Sequence, residues 1–436
     1  MSNTKYIFMW IIPFLCAARR MENYTVILLI MALMIGASGI AGKVKLPVPV
    51  LLLIVGIAIG FVPSIPDVEI DPEIVMLIFL PPLLYDAAFN ISFSEFRTNL
   101  NTISTLATGL VFLTTAGIAA VVHFIIPGMS WPLSFVLGAI LSATDAVAAI
   151  GITKGLGLPH NTVTILEGES LVNDASALVA YRFAVAAVTG IAFVFWKASL
   201  QFLVVLGGGF LIGVIVSRLL ALTLRFFKGN DLVIISLMLL MPFVTYLVAE
   251  HFKVSGVIAV VILGLGMSRL SRERFPDRIK DQSRHFWDVI IFLLNGLIFL
   301  LIGLQFPVIL KTMPAAQVGP YVGYAVIITL VALAIRMIRV YLQQFNLQKA
   351  FKSNKGRQRV SEEALFDSKT SFIITWSGMR GIVSLAIAIS LPVTLDNGAP
   401  FPMRNEIIFL SIAVVLLSLL GQGLTLPWVV RKFSKK

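Results

Sequence analysis

Apolar runs of roughly 20 residues recur along this 436-residue chain from one end to the other, and nothing else in it constrains the fold as strongly. That length is about what a helix needs to cross the hydrocarbon of a bilayer. Backbone polar groups in lipid must be satisfied within a helix or a closed barrel. The runs lack the short inward-outward alternation of barrel strands, so they read as helices. A mean hydropathy of +0.95, with 58% hydrophobic and 13% charged residues, excludes a soluble multidomain enzyme. The fold class is therefore an all-α polytopic membrane protein.

The net charge of +12 does not indicate nucleic acid, because the basic residues sit in short loops between apolar runs rather than on one folded face. Cys16 is the single cysteine, which removes a disulfide framework or thiolate cluster. Four histidines with no HExxH pattern give a zinc hydrolase nothing to stand on. Residues 1–20 contain "YIFMWIIPFLCAA", short for a span and followed by Arg19 and Arg20. They read as an N-terminal leader or extension, or as sequence upstream of a start at Met21, and lie outside the fold.

Loops marked by Pro, Gly and charge divide the rest into thirteen spans, the first at 25–41 and the last at 405–428. An odd number puts the two ends on opposite sides. Lys43, Lys45, Arg97, Lys154, Arg218, Arg225, Lys228, the stretches 269–284 and 349–369, and the tail 431–436 crowd one side. The other side carries only Lys197, Lys253, Lys311 and Arg404 beside the acidic "DVEIDPE". Positive charge marks the cytoplasm, so the C-terminus is expected inside and the start of span 1 outside. Thirteen spans also allow two inverted six-helix repeats around a linker span, with spans 5 (132–153) and 12 (370–392) equivalent. Both are interrupted, at Thr144-Asp145 and at "WSGMRGIVS", and paired broken helices point to a midplane binding site.

Charges inside the spans cost about 2.5–3.5 kcal/mol each on insertion scales, yet several cluster: Asp86 in span 3, Asp145 in span 5, Glu167, Glu169, Asp174 and Arg182 in span 6, Arg336 and Arg339 in span 11, and Arg380 in span 12. At 100° per residue Asp174 lies about 40° from Ser170 and about 20° from Glu167, so the three share a stripe. Glu169 falls about 140° away and needs a cationic partner among the surplus arginines. A desolvated carboxylate can be neutralised by a proton or by a small cation, but not by both. Asp174, Asp145, the Ser170 hydroxyl and a carbonyl near Thr144 form the all-oxygen cage that hard cations prefer. Glu169 and an arginine read as a supporting ion pair, and Arg380 as an electrostatic brace at the crossover. Asp86 reads either as an access-path carboxylate or as a cap on a kink after Pro81-Pro82. Asp288 reads as an N-cap or first-turn residue opening span 10 (286–307). A channel would need a ring of equivalent charges, which an asymmetric cluster does not supply. An intramembrane hydrolase would need a base for Ser170, and none stands at helical spacing.

"FLPPLLYDAA", "SATDAVAAIG", "LEGESLVNDASALV", "FLLNGLIFLLIGLQ" and "WSGMRGIVSLA", in that order, resemble the monovalent cation/proton antiporters of the NhaP type, related to the eukaryotic sodium/proton exchangers. The likeness implies a single antiporter domain over 21–430 followed by a short basic tail, 431–436. It implies a homodimer in the plasma (inner) membrane, with a dimerisation part and a mobile ion-carrying core. The ion-binding set falls on Asp174, Asn173, Asp145, Thr144 and Ser170, with sodium held at Asp145, Asp174, Ser170 and Thr144. The stabilising pair falls on Glu169 and Arg336, with Arg339 competing. Where family members often carry Gly-Gly-Leu-Arg-Gly, this chain has Ser377-Gly378-Met379-Arg380-Gly381. The implied activity is exchange of Na+, and of Li+, for H+, with K+/H+ exchange as the alternative. An Asn173-Asp174 pair, in place of Asp-Asp, implies electroneutral one-for-one exchange. No cofactor, no nucleic acid and no tail-binding regulator is expected.

Overall fold

The computed structural model describes residues 31–39, 48–62, 72–91, 103, 105–145, 149–150, 153, 160–189, 195–227, 230–352, 365, 367–395 and 398–433. The leader 1–20, the start of span 1, several basic loops and the last three residues of the tail lie outside them. The described residues form helices, apart from short connections and one isolated bridge between Thr394 and Pro400.

In chain order the helices are α1 (Val48–Gly60), α2 (Pro72–Asn90), α3 (Leu110–Ile125), α4 (Trp131–Ile140), α5 (His160–Val188), α6 (Phe195–Phe226), α7 (Asp231–His251), α8 (Gly256–Arg274) and α9 (Asp277–Thr312). They continue with α10 (Ala315–Lys352), α11 (Ser368–Trp376), α12 (Ile382–Ile389), α13 (Arg404–Ser418) and α14 (Leu424–Phe433). Residues 31–39 are also helical. Single π turns, Thr105–Gly109 and Leu419–Gly423, lead into α3 and join α13 to α14. Among the described residues, seven helical stretches are long and apolar enough to cross a membrane.

Local chemistry sets several ends. The side chains of Asn230, Ser255 and Asp367 accept hydrogen bonds from the backbone N–H groups of Val233, Ile258 and Thr370, capping α7, α8 and α11. Inside the bundle, side-chain size decides how near two helices come. A Cβ on Gly56 of α1 would overlap the Leu300 carbonyl of α9, and one on Gly303 would overlap the backbone of α1. Small residues thus let these two helices pack backbone to backbone, as membrane helices do when lipid removes the hydrophobic drive for association.

Two long helices exceed the spans read from hydropathy. Span 10 was expected over 286–307, but α9 runs from Asp277 to Thr312, with Pro276 at its N-cap. Asp288 therefore lies three turns inside the helix, which corrects its reading as an N-cap or first-turn residue. Span 11, expected over 319–344, extends through α10 to Lys352. Hydropathy reports only the lipid-facing stretch, whereas the hydrogen-bond ladder of a helix continues into water. The rod formed by α13, its π turn and α14 is the most enclosed of the long stretches, with 72% of its apolar window buried, against 17% for α6. α6 accordingly lines the outside and the rod backs the site.

Candidate functional site

The site is built where two helices stop short and cross. α4 ends at Ile140 and continues through Leu141, Ser142, Ala143, Thr144 and Asp145 without helical structure. α11 ends at Trp376, and α12 begins only at Ile382. The two unwound segments meet where the Asp145 N–H donates to the Met379 carbonyl at 2.8 Å. Each leaves charged helix ends to be answered. The Arg380 guanidinium donates through Nε to the Leu141 carbonyl at 2.7 Å, meeting the negative end of α4, and through Nη1 to the Gly378 carbonyl at 2.9 Å. The Asp145 carboxylate accepts from the Ile382 N–H at 3.4 Å, meeting the positive end of α12. Glycine is required at two points of this crossing. A methyl at 378 would overlap the Arg336 guanidinium, and one at 381 would overlap the Asp145 carboxylate. The glycines adjoining Met379-Arg380 thus have a steric reason.

α5 supplies the facing wall. Asn173 spends both ends of its amide on Thr144: Oδ1 accepts from the Thr144 N–H at 3.3 Å, and Nδ2 donates to Thr144 Oγ1 at 2.6 Å. The Ser170 hydroxyl donates to the Thr144 carbonyl at 2.9 Å, and the Thr144 hydroxyl donates to Glu169 Oε1 at 3.5 Å. Thr144 is thereby held on three sides, which fixes Asp145 next to it.

Glu169 and Arg336 form a buried bidentate pair, each 1% exposed, from Nη1 to Oε1 and from Nη2 to Oε2 at 3.0 Å. Arg336 also donates to the Ile374 carbonyl at the C-terminal end of α11. Arg339 goes elsewhere: its Nη2 lies 3.5 Å from the carbonyl of Thr105 in the first π turn.

A cavity, part of it open to solvent, lies between this crossover and the walls formed by α2 and α9. Asp174, Asp145, Thr144, Ser170 and Asp86 line it, with Asn295 and Ser384. Asp174 is buried, and its Oδ1 has no hydrogen-bond partner among the described residues. Asp86 accepts from Asn90 Nδ2 at 3.0 Å and stands on the same cavity, while the helix continues through Pro81 and Pro82. Asn173, Glu169, Arg336 and Arg380 do not line the cavity. They hold the segments that do. The lining is mostly apolar, and the polar groups it does present are carboxylates, hydroxyls and one amide, whose oxygens are donors that a hard cation accepts.

Sequence reasoning passed over Ser384, Asn295, Ser418 and Gln422. The signal available was their polarity within apolar runs, weaker than that of a charge because a hydroxyl or amide costs less to bury.

With this geometry in view, the comparisons are specific. The family profile described as "Sodium/hydrogen exchanger, transmembrane" matches residues 27–432. The chain is 34% identical over 411 residues to the "Uncharacterized Na(+)/H(+) exchanger YjcE" of Escherichia coli (strain K12), covering 92% of this chain and 75% of that one. It is 36% identical over 428 residues to a "Sodium, potassium, lithium and rubidium/H(+) antiporter" of Bacillus pumilus, covering 95% of this chain and 62% of that longer protein. The structure of the sodium proton antiporter MjNhaP1 from Methanocaldococcus jannaschii superposes with a TM-score of 0.72 at 21% identity, covering 98% of this chain and 100% of that one. This last likeness is one of fold.

Proposed function

The chain belongs to the sodium/hydrogen exchanger family, and from that premise we propose that it exchanges Na+, and Li+, for H+ by alternating access, with Asp174 holding either the cation or the proton. The observation that carries this reading is Asp174 itself, a buried carboxylate on a cavity wall with one oxygen lacking any partner among the described residues. A buried unpaired charge is too costly to leave uncompensated, so the site favours occupation by a cation or a proton. Asp145 is committed to the N-terminus of α12 and Asn173 to Thr144. Asp174 is thus the acid left to change ligand, and the Ser170 hydroxyl, the Thr144 oxygens and Asp145 would complete the cation's shell. One acid trading one cation for one proton moves no net charge, so exchange is electroneutral.

Alternating access needs one side of the site open and the other closed. The cavity involves the C-terminal half of α2, Ile291 and Asn295 on α9, and α5 only as far as Asp174. Beyond Asp174, Arg182 of α5 is tied to Glu250 of α7 at 2.7 Å, and Tyr181 donates to the Ser390 carbonyl at 3.2 Å. With basic loops inside, the open side is the cytoplasmic one. On this reading the protein works in the plasma (inner) membrane as a homodimer, its core moving against the dimerising part, its C-terminus cytoplasmic, and without a resident cofactor. The breadth of cations in the name of the Bacillus pumilus relative favours K+ as a second substrate.

Everted vesicles test this directly. Adding Na+, Li+ or K+ to acidified vesicles should release the proton gradient with wild type and not with Asp174→Asn. The apparent cation affinity should weaken as pH falls, and the rate should ignore an imposed potential. Wild-type rates from Asp174→Asn would end the reading, and a steep response to potential would end its one-for-one form.

A further inference from the structure

Unwinding a helix inside a membrane protein leaves backbone groups that need partners from somewhere else. At the crossover the Trp376 carbonyl and the Arg380 N–H flank the unwound residues 377–379, and both are answered from the rod of α13 and α14. Ser418 Oγ accepts from the Arg380 N–H at 3.0 Å and donates to Gln422 Oε1 at 2.7 Å. Gln422 Nε2 donates to the Trp376 carbonyl at 3.2 Å. Ser418 is 2% and Gln422 7% exposed. One turn on, Thr425 Oγ1 accepts from the Trp376 indole Nε1 at 2.8 Å.

This relay sits at the π turn Leu419–Gly423. π turns are uncommon interruptions of α-helices and recur at functional sites. Here Ser418 immediately precedes the turn and Gln422 lies within it, and together they span the length of the unwound stretch. The consequences reach the site through bonds already described. Arg380 braces the Leu141 carbonyl, and the Met379 carbonyl receives the Asp145 N–H. Holding 376 and 380 from behind therefore sets where Asp145 stands relative to Asp174.

We infer that Ser418 and Gln422 are positioning residues for ion exchange: they splint the unwound segment against the α13–α14 rod so that the carboxylates of the site keep their spacing. The inference rests on the antiport reading, and its test separates the two. Neither residue touches the cation, so their effect should appear in affinity and pH response rather than only in the amount of folded protein.

Purified full-length protein in proteoliposomes provides the measurement, with Na+-driven proton movement recorded against Na+ concentration and pH. Ser418→Ala and Gln422→Leu should each raise the apparent KM for Na+ on the order of fivefold, the equivalent of one lost hydrogen bond. They should shift the pH profile while transport per folded molecule at saturating Na+ stays near wild type. Ser418→Thr, which keeps the hydroxyl, should restore wild-type values. Gln422→Met, which keeps the length of the side chain but has no N–H for the Trp376 carbonyl, should resemble Gln422→Leu and serves where the leucine variant folds poorly. Unchanged KM and pH profile in the alanine, leucine and methionine variants, or losses that only track folded protein, would overturn the inference, as would Ser418→Thr behaving like Ser418→Ala. Asp174→Asn in the same liposomes reports separately: exchange at the wild-type rate there would defeat the antiport reading itself.

Discussion

Arg336 occupies a position that no other residue type fills. Its guanidinium meets both Glu169 oxygens and the Ile374 carbonyl, with Gly378 pressed against it. Removing one partner of such a buried pair strands the other, at a cost of about 3–5 kcal/mol. Arg336→Ala should therefore lower the melting temperature of the detergent-solubilised protein sharply, and Arg336→Lys should not restore it, since an ammonium lacks the planar fork. A melting curve unchanged in Arg336→Ala would show the pair to be incidental. The angular position of Glu169, away from the Asp174 stripe, already implies a separate cationic partner. The identity of that partner was not legible from the residues alone, because 336 and 339 lie three residues apart on one helix face. Only the path of the chain around Thr105 sends Arg339 elsewhere.

Broken helices were the most legible elements, since Gly and polar residues interrupt otherwise continuous apolar runs at Thr144-Asp145 and at Ser377 to Gly381. Helix lengths were less so. The ends of α9 and α10 pass beyond their apolar stretches, and the hydropathy signal fades there although the backbone does not change. The rod after Arg404 likewise gave no hint of a π turn, because the turn redirects hydrogen bonds without altering the apolar pattern. Arg182, one of the charges inside span 6, pairs with Glu250 and so ties α5 to α7 beyond Asp174. Both side chains are about one-third exposed, so the pair is worth far less than the one at Arg336. Exchanging the charges tests the tie: Arg182→Glu and Glu250→Arg should each slow transport and lower thermal stability, and the double variant should recover a large part of both. Additive losses in the double variant would mean that the two helices are not coupled through these side chains.

At the scale of the whole molecule, a membrane-embedded bundle carries two crossed, interrupted helices whose ends are neutralised by Arg380 and Asp145, and a cavity lined by Asp174. On the antiport reading proposed above, the exchange of ligands at one acid is the step on which everything else depends. Counting protons tests it most directly. Purified protein in weakly buffered detergent solution, at a pH where the site is protonated, should release about one proton for each Na+ bound, as linkage between competing ligands requires. Asp174→Asn should release none. Sodium binding with no proton released by the wild-type protein, or equal release by Asp174→Asn, would contradict the account.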